Sequence, residues 1–318
     1  MSTPASLDLP EGARRTTVET SRGAFAALEA WPAAGPCELG TALLVPGYTG
    51  SKEDFLAILG ELAAGGRRVV AMDLRGQYQT PGPDDPDAYD PGELGKDVAA
   101  VAAATETAHL LGHSFGGLVV REAILGGCAP ASLTLLSSGP AALPGPRADE
   151  LRFFLNYADG VAPAALAAKV ADFWHGAVKP QTVAAGVPAE ILAFLEERML
   201  ANNPTALVTM GTHLLRAEDK TAALASCEVP AFVLYGEDDN AWPPAQQADM
   251  AERLSAERSC IPAAGHNPNV EAPATTAHAL TTFWETIEGP GSDFYSSVSP
   301  SQDRRAGAAA WPSGQDRW

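Results

Sequence analysis

Short apolar runs alternate with segments of helical spacing between residues 42 and 137. Each run has the length of a buried strand, and each following segment carries apolar residues three or four positions apart, as one face of a helix does. Strands that alternate with helices in this way predict a parallel sheet covered by helices on both faces. The strand-like runs are residues 42–45, 68–73, 107–111 and 132–137, and the helical segments are residues 51–65, 93–105 and 118–124.

The pattern differs before and after this region. Residues 17–20 and 24–31 flank Ser21-Arg22-Gly23, which predicts an antiparallel hairpin. From residue 140 to residue 228 the alternation stops and the spacing is helical, which predicts an inserted cap. Beyond the cap the predicted elements are a strand at 231–235, a helix at 246–254, a strand at 259–262 and a helix at 273–287.

These elements predict an α/β fold with four parts. Residues 1–16 are expected to be a flexible leader, and residues 17–139 and 229–287 are expected to form the α/β core. Residues 140–228 form the predicted helical cap. Residues 288–318 are rich in Gly, Ser, Pro and Asp with mixed charge, so we expect a disordered tail there.

Composition narrows the class of protein. The 318 residues are 46% hydrophobic, which is enough for a substantial core. A net charge of −18 argues against nucleic acid or an anionic membrane as a partner, because like charges repel. The sequence shows neither a signal peptide nor a stretch long enough for membrane insertion, so a cytoplasmic location is expected. It has no C-x-x-C pair and no histidine cluster, so we expect no zinc site, no redox motif and no metal.

The pentapeptide Gly112-His113-Ser114-Phe115-Gly116 stands between a predicted strand and a predicted helix. This arrangement is typical of a nucleophile elbow, a tight turn that exposes a serine hydroxyl where a strand ends and a helix begins. Glycines two positions before and after the serine have a steric reason, because a Cβ there would collide with the neighbouring strand or helix. The alternative is a glycine-rich turn with an inert serine, but the flanking elements favour the elbow.

A serine hydroxyl is a poor nucleophile unless a general base and an orienting acid reach it. Two later loops supply such groups. The adjacent acids Glu237, Asp238 and Asp239 follow the strand at 231–235, and His266 follows the last short strand. Both loops lie at the carboxyl edge of the predicted sheet, where Ser114 also lies and where open α/β sheets bind ligands.

Three motifs in this order resemble those of the α/β-hydrolase superfamily. Residues 112–117 resemble G-H-S-x-G-G, residues 73–76 resemble D-x-R-G, and residues 265–273 resemble the histidine loop. Over about residues 17–287 the chain is similar to this superfamily, most of all to its cap-bearing esterases, lipases and haloperoxidases. The resemblance implies the α/β-hydrolase fold, with a mostly parallel central sheet, helices on both faces and an inserted helical cap.

The resemblance also implies roles for the site residues. Ser114 would be the nucleophile, and His266 would be the general base that later protonates the leaving group. The family pattern G-x-x-D, counted from Gly236, favours Asp239 as the acid, with Asp238 as the alternative.

The expected oxyanion hole consists of two main-chain N–H groups, those of Tyr48 and Phe115. The chain departs from the family pattern at Pro46-Gly47, where His-Gly is common, and again at Gln77-Tyr78. Because the donor is a main-chain amide, the first departure should not abolish catalysis. It leaves the shape of the loop open.

Aromatic side chains near the expected site are candidates for the substrate pocket. Trp242 follows the acid loop, and Trp174 lies in the cap near Phe153, Phe154 and Phe173. We expect Trp242 and Trp174 to line the pocket. The competing interpretation is that aromatic residues at helical spacing fill the core.

The expected activity is hydrolysis of a carboxylic ester or related acyl bond in a small-molecule substrate, and we expect it to need no cofactor. A serine nucleophile argues against haloalkane dehalogenases and epoxide hydrolases, which attack through a carboxylate. The same triad serves thioesterases, acyltransferases, lactonases, carbon–carbon bond hydrolases and perhydrolases, and a non-catalytic receptor could keep the pocket. His109 and His113 are interpreted as structural.

Overall fold

The computed structural model describes residues 2–33, 35 and 37–289. Within these residues eight strands form one sheet: β1 (Ala13–Thr20), β2 (Gly23–Ala30), β3 (Leu39–Val45), β4 (Arg67–Met72), β5 (Thr107–His113), β6 (Ser132–Leu136), β7 (Ala231–Gly236) and β8 (Glu257–Ile261). Their order across the sheet is β1-β2-β4-β3-β5-β6-β7-β8. β1 pairs antiparallel with β2 and β2 with β4, whereas neighbours from β4 to β8 run parallel. The sheet is therefore mostly parallel, as predicted.

Helices occupy most of the remaining described residues. They are α1 (Leu56–Ala64), α2 (Pro91–Ala104), α3 (Phe115–Leu125), α4 (Gly145–Ala158), α5 (Pro163–Phe173), α6 (Lys179–Ala184), α7 (Ala189–Ala201), α8 (Pro204–Leu214), α9 (Thr221–Ala225), α10 (Pro244–Leu254), α11 (Pro268–Glu271) and α12 (Pro273–Glu288). Short 3₁₀ turns, Lys52–Phe55 and Pro86–Tyr89, precede α1 and α2, and a π-helical turn, Trp174–Val178, joins α5 to α6. None of the described helices has both the length and the apolar composition required to cross a membrane.

Buried side chains form two apolar layers, one on each face of the sheet. One layer contains residues of α1 and α12, such as Leu59 and Trp284. The other contains residues of α2, α3 and α10, such as Val98 and Val119. Burial of both layers removes apolar surface from water and stabilises the sheet between them. This arrangement confirms the predicted α/β fold with helices on both faces.

The predicted cap is present between β6 and β7. Side chains of its helices, such as Leu151 of α4 and Leu207 of α8, extend the apolar layer that contains α3. These helices therefore cover the edge of the sheet where β5 ends. α9 differs from them because it packs against α3 and α10 and so belongs to the layer that covers the sheet.

The amino-terminal residues differ from the predicted flexible leader, 1–16. β1 already begins at Ala13. Ser2 is buried, and its carbonyl oxygen accepts a hydrogen bond of 2.6 Å from the Arg198 guanidinium. Leu7 packs against the apolar layer that contains α3. The partners of this segment are distant in the chain, which is why its polar sequence pattern did not reveal them.

The predicted tail, 288–318, starts too early in the sequence, because residue 288 still belongs to a helix. Glu288 ends α12 and is buried, and its carboxylate accepts two hydrogen bonds of 3.0 Å from the Arg67 guanidinium. Nε2 of His109 lies 2.9 Å from the same carboxylate. Burial disfavours the charge of Glu288, but hydrogen bonds from His109 and Arg67 hold its pKa below the usual value. Residues 290–318 of the predicted tail lie outside the described residues.

Candidate active site

Ser114 lies at the turn between β5 and α3 with a positive φ of 55° and a ψ of −121°. This conformation is unfavourable for a residue with a side chain, so contacts around the turn must hold it. The Ser114 N–H donates to the Leu136 carbonyl at 2.9 Å. A Cβ on Gly112 would collide with the main chain of Gly116, and one on Gly116 would lie 2.5 Å from the Val45 carbonyl oxygen. The turn thus has the steric reason for glycine that the spacing predicts.

His266 reaches Ser114 from the loop between β8 and α11. Its Nε2 atom lies 2.9 Å from Oγ of Ser114. The Glu271 carboxylate fixes this loop by accepting hydrogen bonds from the main-chain N–H groups of Gly265 and Asn267. The imidazole therefore meets the serine hydroxyl in a position from which it can accept the hydroxyl proton.

Asp239 is the acid that contacts His266, and the two acids before it are exposed. Oδ1 of Asp239 lies 2.9 Å from Nδ1 of His266. The buried carboxylate also accepts hydrogen bonds from the Ala241 N–H at 2.8 Å and from the Gln247 side chain at 2.9 Å. These bonds satisfy the carboxylate and fix its orientation toward the imidazole.

His113 is buried beside the elbow and holds the main chain of His266. Its Nε2–H donates to the His266 carbonyl oxygen at 2.9 Å, which assigns the ring proton to Nε2. Burial lowers the pKa of His113 to about 4, and the neighbouring His266 imidazole contributes in the same direction. The ring is therefore neutral at neutral pH, and the contact agrees with its interpretation as structural.

The loop after β3 lies against the serine. A Cβ on Gly47 would lie 2.9 Å from Cβ of Ser114, so a side chain there would force the two segments apart. The N–H of Phe115 is in the first turn of α3, where a helix offers no acceptor of its own. The N–H of Tyr48 has no acceptor among the described residues. Neither of these two N–H groups thus has an acceptor among the described residues, and both lie next to the elbow.

Gln77 supports this loop from within the core. It is fully buried, and its Nε2 donates to the Gly47 carbonyl oxygen at 3.1 Å. The neighbouring Tyr78 ring lies 4.6 Å from the Lys52 ammonium, which pairs with Asp73 at 2.8 Å. Burial raises the pKa of Asp73 to about 6, although Lys52 opposes this change. No local signal in the sequence marks the contact of Gln77 with Gly47, so in the sequence Gln77 stands out only as a departure from a family pattern.

A buried ion pair connects the cap to the same region. Arg198 of α7 lies 2.7 Å from the Asp54 carboxylate, and both side chains are almost inaccessible to solvent. Asp54 in turn accepts a hydrogen bond from the Ser51 N–H at the start of the 3₁₀ turn. The position of α7 is therefore tied to the segment that follows the loop after β3, and nothing in the local sequence indicates this pair.

A cavity of about 570 Å³ lies above Ser114 and His266, between the sheet edge and the cap. Phe153, Phe154 and Phe173, which the sequence placed near the site, line it. The wall combines apolar side chains with polar ones, such as Arg147, Gln181 and Asn240, and this combination suits a small molecule that has both kinds of group. Other apolar residues of the wall are Leu143, Leu151, Val170, Leu207 and Leu214.

Trp242 and Trp174 do not line this cavity, contrary to the expectation from sequence. Both are fully buried in the core. The Trp242 Nε1–H donates to the Ala141 carbonyl at 3.1 Å, and its ring fills the space that a Cβ on Gly139 would need. Large rings of this kind bury much apolar area, and here core packing uses that area.

The contacts form a continuous hydrogen-bonded chain from Asp239 through His266 to Ser114. A neutral imidazole in this place donates Nδ1–H to the carboxylate and accepts the hydroxyl proton at Nε2. Such a chain can make a serine hydroxyl a nucleophile. In the described part of the protein, no cluster of three or more His, Cys, Asp and Glu side chains could hold a metal ion.

Known proteins match this chain in sequence and in structure. The family model described as "Alpha/beta hydrolase family" matches residues 42–279. A Variovorax paradoxus (strain S110) protein named "Putative carbamate hydrolase RutD" is 29% identical over 265 residues, which are 81% of this chain and 96% of that protein. A thermophilic esterase from Thermogutta terrifontis has a TM-score of 0.64 at 21% identity, covering 87% of this chain and 100% of that chain. Esterase RhEst1 from Rhodococcus sp. ECU1013 has a TM-score of 0.62 at 23% identity, covering 87% of this chain and 99% of that chain. At these identities the structural matches show a shared fold.

Proposed function

This chain belongs to the alpha/beta hydrolase family, and we propose that it is a serine hydrolase that cleaves a carboxylic ester or related acyl bond through an acyl-enzyme. The observation that carries the proposal is the hydrogen-bonded chain of Ser114, His266 and Asp239 on the floor of the cavity. A receptor that only binds its ligand has no evident need for this chain. The cavity volume suits a small molecule.

In the first half-reaction, Oγ of Ser114 attacks the acyl carbon while Nε2 of His266 takes the hydroxyl proton. The carbonyl oxygen becomes negatively charged and accepts hydrogen bonds from the Tyr48 and Phe115 amides. Asp239 stabilises the imidazolium that forms. The imidazolium then protonates the leaving alcohol as the bond between that alcohol and the acyl carbon breaks, which leaves an acyl ester on Ser114.

In the second half-reaction, water replaces the alcohol. His266 takes a proton from the water as its oxygen attacks the acyl carbon, and the same amides hold the oxyanion. The bond from the acyl carbon to Oγ then breaks, Ser114 regains its proton from His266, and the carboxylic acid leaves. Atoms balance as one ester and one water consumed for one acid and one alcohol released.

The named relative favours a second candidate, cleavage of a carbon–nitrogen acyl bond by the same residues. It is called a carbamate hydrolase and is similar to this chain over 265 residues. The first half-reaction would then release ammonia or an amine. Proton transfer from His266 to nitrogen would be essential for this step, because an amide anion is a very poor leaving group.

The test compares wild type with Ser114→Ala on p-nitrophenyl esters of increasing acyl length, and on p-nitroanilides of the same acyl groups. We expect turnover by wild type and a fall in kcat of at least about 10³-fold in the variant. Ser226→Ala, at an exposed serine, is the matched control, and circular dichroism checks folding. The preferred leaving group separates the two candidates. A folded wild type without turnover, or a Ser114→Ala variant with equal activity, would contradict the proposal.

A further inference from the structure

We propose that Arg147 selects substrates that carry a carboxylate besides the bond to be cleaved, so that the preferred substrate is an anionic acyl compound. The inference rests on the proposed hydrolase function, because Arg147 lines the same cavity as Ser114 and His266. It concerns the part of the cavity between α4 and the loop that carries Asp239.

The first observation is the unpaired charge of Arg147. Most lysines and arginines among the described residues form an ion pair with a carboxylate. In a chain with a net charge of −18, acidic partners are plentiful. An unpaired cation in the wall of the active-site cavity is therefore available for a ligand. The described basic residues without an ion pair are Arg15, Arg147, Lys169 and Arg216, and of these Arg147 lines the cavity.

The second observation is the orientation of the guanidinium. Nε of Arg147 donates to Oδ1 of Asn240 at 3.0 Å, and Asn240 directly follows Asp239. This bond lies at an exposed position and places the guanidinium beside the acid loop. It uses Nε, which leaves the two terminal nitrogens without a protein acceptor among the described residues. Two nitrogens at the end of a planar guanidinium match the two oxygens of a carboxylate.

Acidic residues in the cavity wall do not neutralise this cation. Asp54 lines the cavity, but its carboxylate is paired with buried Arg198 at 2.7 Å. Glu150 also lines it, one turn after Arg147 on α4, but it is exposed and forms no ion pair with Arg147. Water screens a charge at such an exposed position.

The other side chains of the cavity wall indicate which class of anionic substrate fits. Side chains such as Phe154, Val170 and Leu214 are apolar, so they suit the carbon body of a substrate rather than further charge. Arg147 is the only lysine or arginine among the described residues that line the cavity, so it balances one negative charge, whereas a phosphate dianion would need a second cation. A monocarboxylate attached to an apolar body therefore fits the cavity best.

The experiment uses pairs of esters that differ by one negative charge. Monomethyl adipate and dimethyl adipate place the charge on the acyl side, and 4-acetoxybenzoate and its methyl ester place it on the leaving group. The ratio of kcat/KM for the anionic ester to that for the neutral ester is measured in wild type, Arg147→Gln and Arg147→Lys. Arg152→Gln is the matched control, because it removes the same charge from an exposed position of α4.

We expect a wild-type ratio well above one for at least one pair. Arg147→Gln should lower this ratio at least about tenfold, and Arg147→Lys should retain part of it because the charge remains. Arg152→Gln should keep the wild-type ratio. Added salt should lower the ratio in wild type, since ions screen the attraction.

Two results separate this inference from the proposed function. If both esters of each pair are hydrolysed and Arg147→Gln leaves the ratios unchanged, the inference is overturned and the hydrolase function stands. If no ester is hydrolysed, titration calorimetry with monomethyl adipate, which carries one carboxylate, decides. Binding that Arg147→Gln abolishes and Arg152→Gln preserves supports the carboxylate site, whereas absent or unaffected binding overturns it.

Discussion

At the scale of single residues, the neutral ring of His113 makes the stability of the protein around the site depend on pH. The buried imidazole donates a hydrogen bond to the main chain of His266, so it both fills core space and fixes the loop of the proposed base. Because burial holds its pKa near 4, the folded protein resists protonation at this position. The unfolded chain has no such restriction.

We expect His113 to reduce the free energy of unfolding as pH falls from about 6.5 to about 4. In that pH range the imidazole of the unfolded chain binds a proton and the buried imidazole does not. The contribution of neutral His113 to the free energy of unfolding is therefore complete above pH 6.5 and is lost as the pH falls toward 4. The full loss is about 3 kcal/mol. Asp73, whose pKa is raised, changes the free energy of unfolding with pH in the opposite direction. Its effect is the same in wild type and in a His113 variant, so it cancels when the two are compared.

Urea unfolding of wild type and His113→Gln at several pH values measures this effect. Wild type should lose about 3 kcal/mol relative to the variant between neutral pH and about pH 4. His278→Gln, at an exposed histidine, should track wild type. A difference between wild type and His113→Gln that stays constant with pH would refute the assignment.

Site residues differ in how far the sequence could reveal them. Ser114 and His266 stand in motifs with local steric or loop signatures, and the structure brings both into contact with Asp239. Gln77 and Arg198 have no such signature, because each acts on a segment far away in the chain. The catalytic roles of Ser114, His266 and Asp239 and the positioning roles of Gln77 and Arg198 stay predictions.

At the scale of elements, the elbow depends on the contact between α3 and the end of β3. A Cβ on Gly116 would lie 2.5 Å from the carbonyl oxygens of Val45 and Pro46, which belong to main chain and cannot rotate away. The strand, the turn and the helix must therefore shift together to admit any side chain. This close main-chain packing supports the strained conformation of Ser114.

Gly116→Ala should lower the free energy of unfolding by about 3 kcal/mol or more, because the added methyl group overpacks the turn. It should also reduce hydrolysis, since the turn carries Ser114. Gly176→Ala is the matched control, because a Cβ there meets nothing within 4 Å. Its effect should stay within about 1 kcal/mol. Chemical unfolding of both variants checks the prediction, and equal stabilities would contradict it.

Element bounds were predictable where one local signal dominated. The elbow strand and its helix follow directly from apolar spacing and glycine. The helical spacing predicts that α2 starts at residue 93, whereas the helix begins at Pro91 because the Asp90 side chain accepts a hydrogen bond from the Gly92 N–H at 2.8 Å. Proline, glycine and aspartate also mark loops, so the same residues that cap this helix concealed its first turn.

At the scale of the whole molecule, Glu288 fastens the last helix to the opposite end of the sheet from the site. Its carboxylate meets Arg67 at the start of β4, His109 in β5 and the Gly40 N–H in β3. One side chain thus joins α12 to three strands. A buried carboxylate with these partners cannot be removed without leaving the Arg67 charge buried and unpaired.

Glu288→Ala should therefore destabilise the fold by about 3–5 kcal/mol. Glu285→Ala removes the same charge from the exposed face of α12 and should change stability by less than about 0.5 kcal/mol. Thermal or urea unfolding measures both. A Glu288→Ala variant as stable as the control would show that the ion pair with Arg67 does not anchor α12.

The mostly parallel sheet and the covering of both its faces could be predicted, because alternation of strands with helices constrains topology strongly. The composition of the cavity could not. Which aromatic residues reach it depends on how the cap helices rotate against the sheet, and Trp174 and Trp242 turned into the core while Phe173 lines the cavity. The carboxylate preference proposed for Arg147 depends on the same non-local packing.

The central claim is that Ser114 is an activated nucleophile, and labelling with a fluorophosphonate tests it most directly. The serine oxygen would form a bond to phosphorus as fluoride leaves, and mass spectrometry of tryptic peptides would locate the adduct. We expect one adduct on the peptide that contains Ser114, and none in Ser114→Ala. A wild-type protein that stays unlabelled, or that carries its label on another residue, would contradict the account.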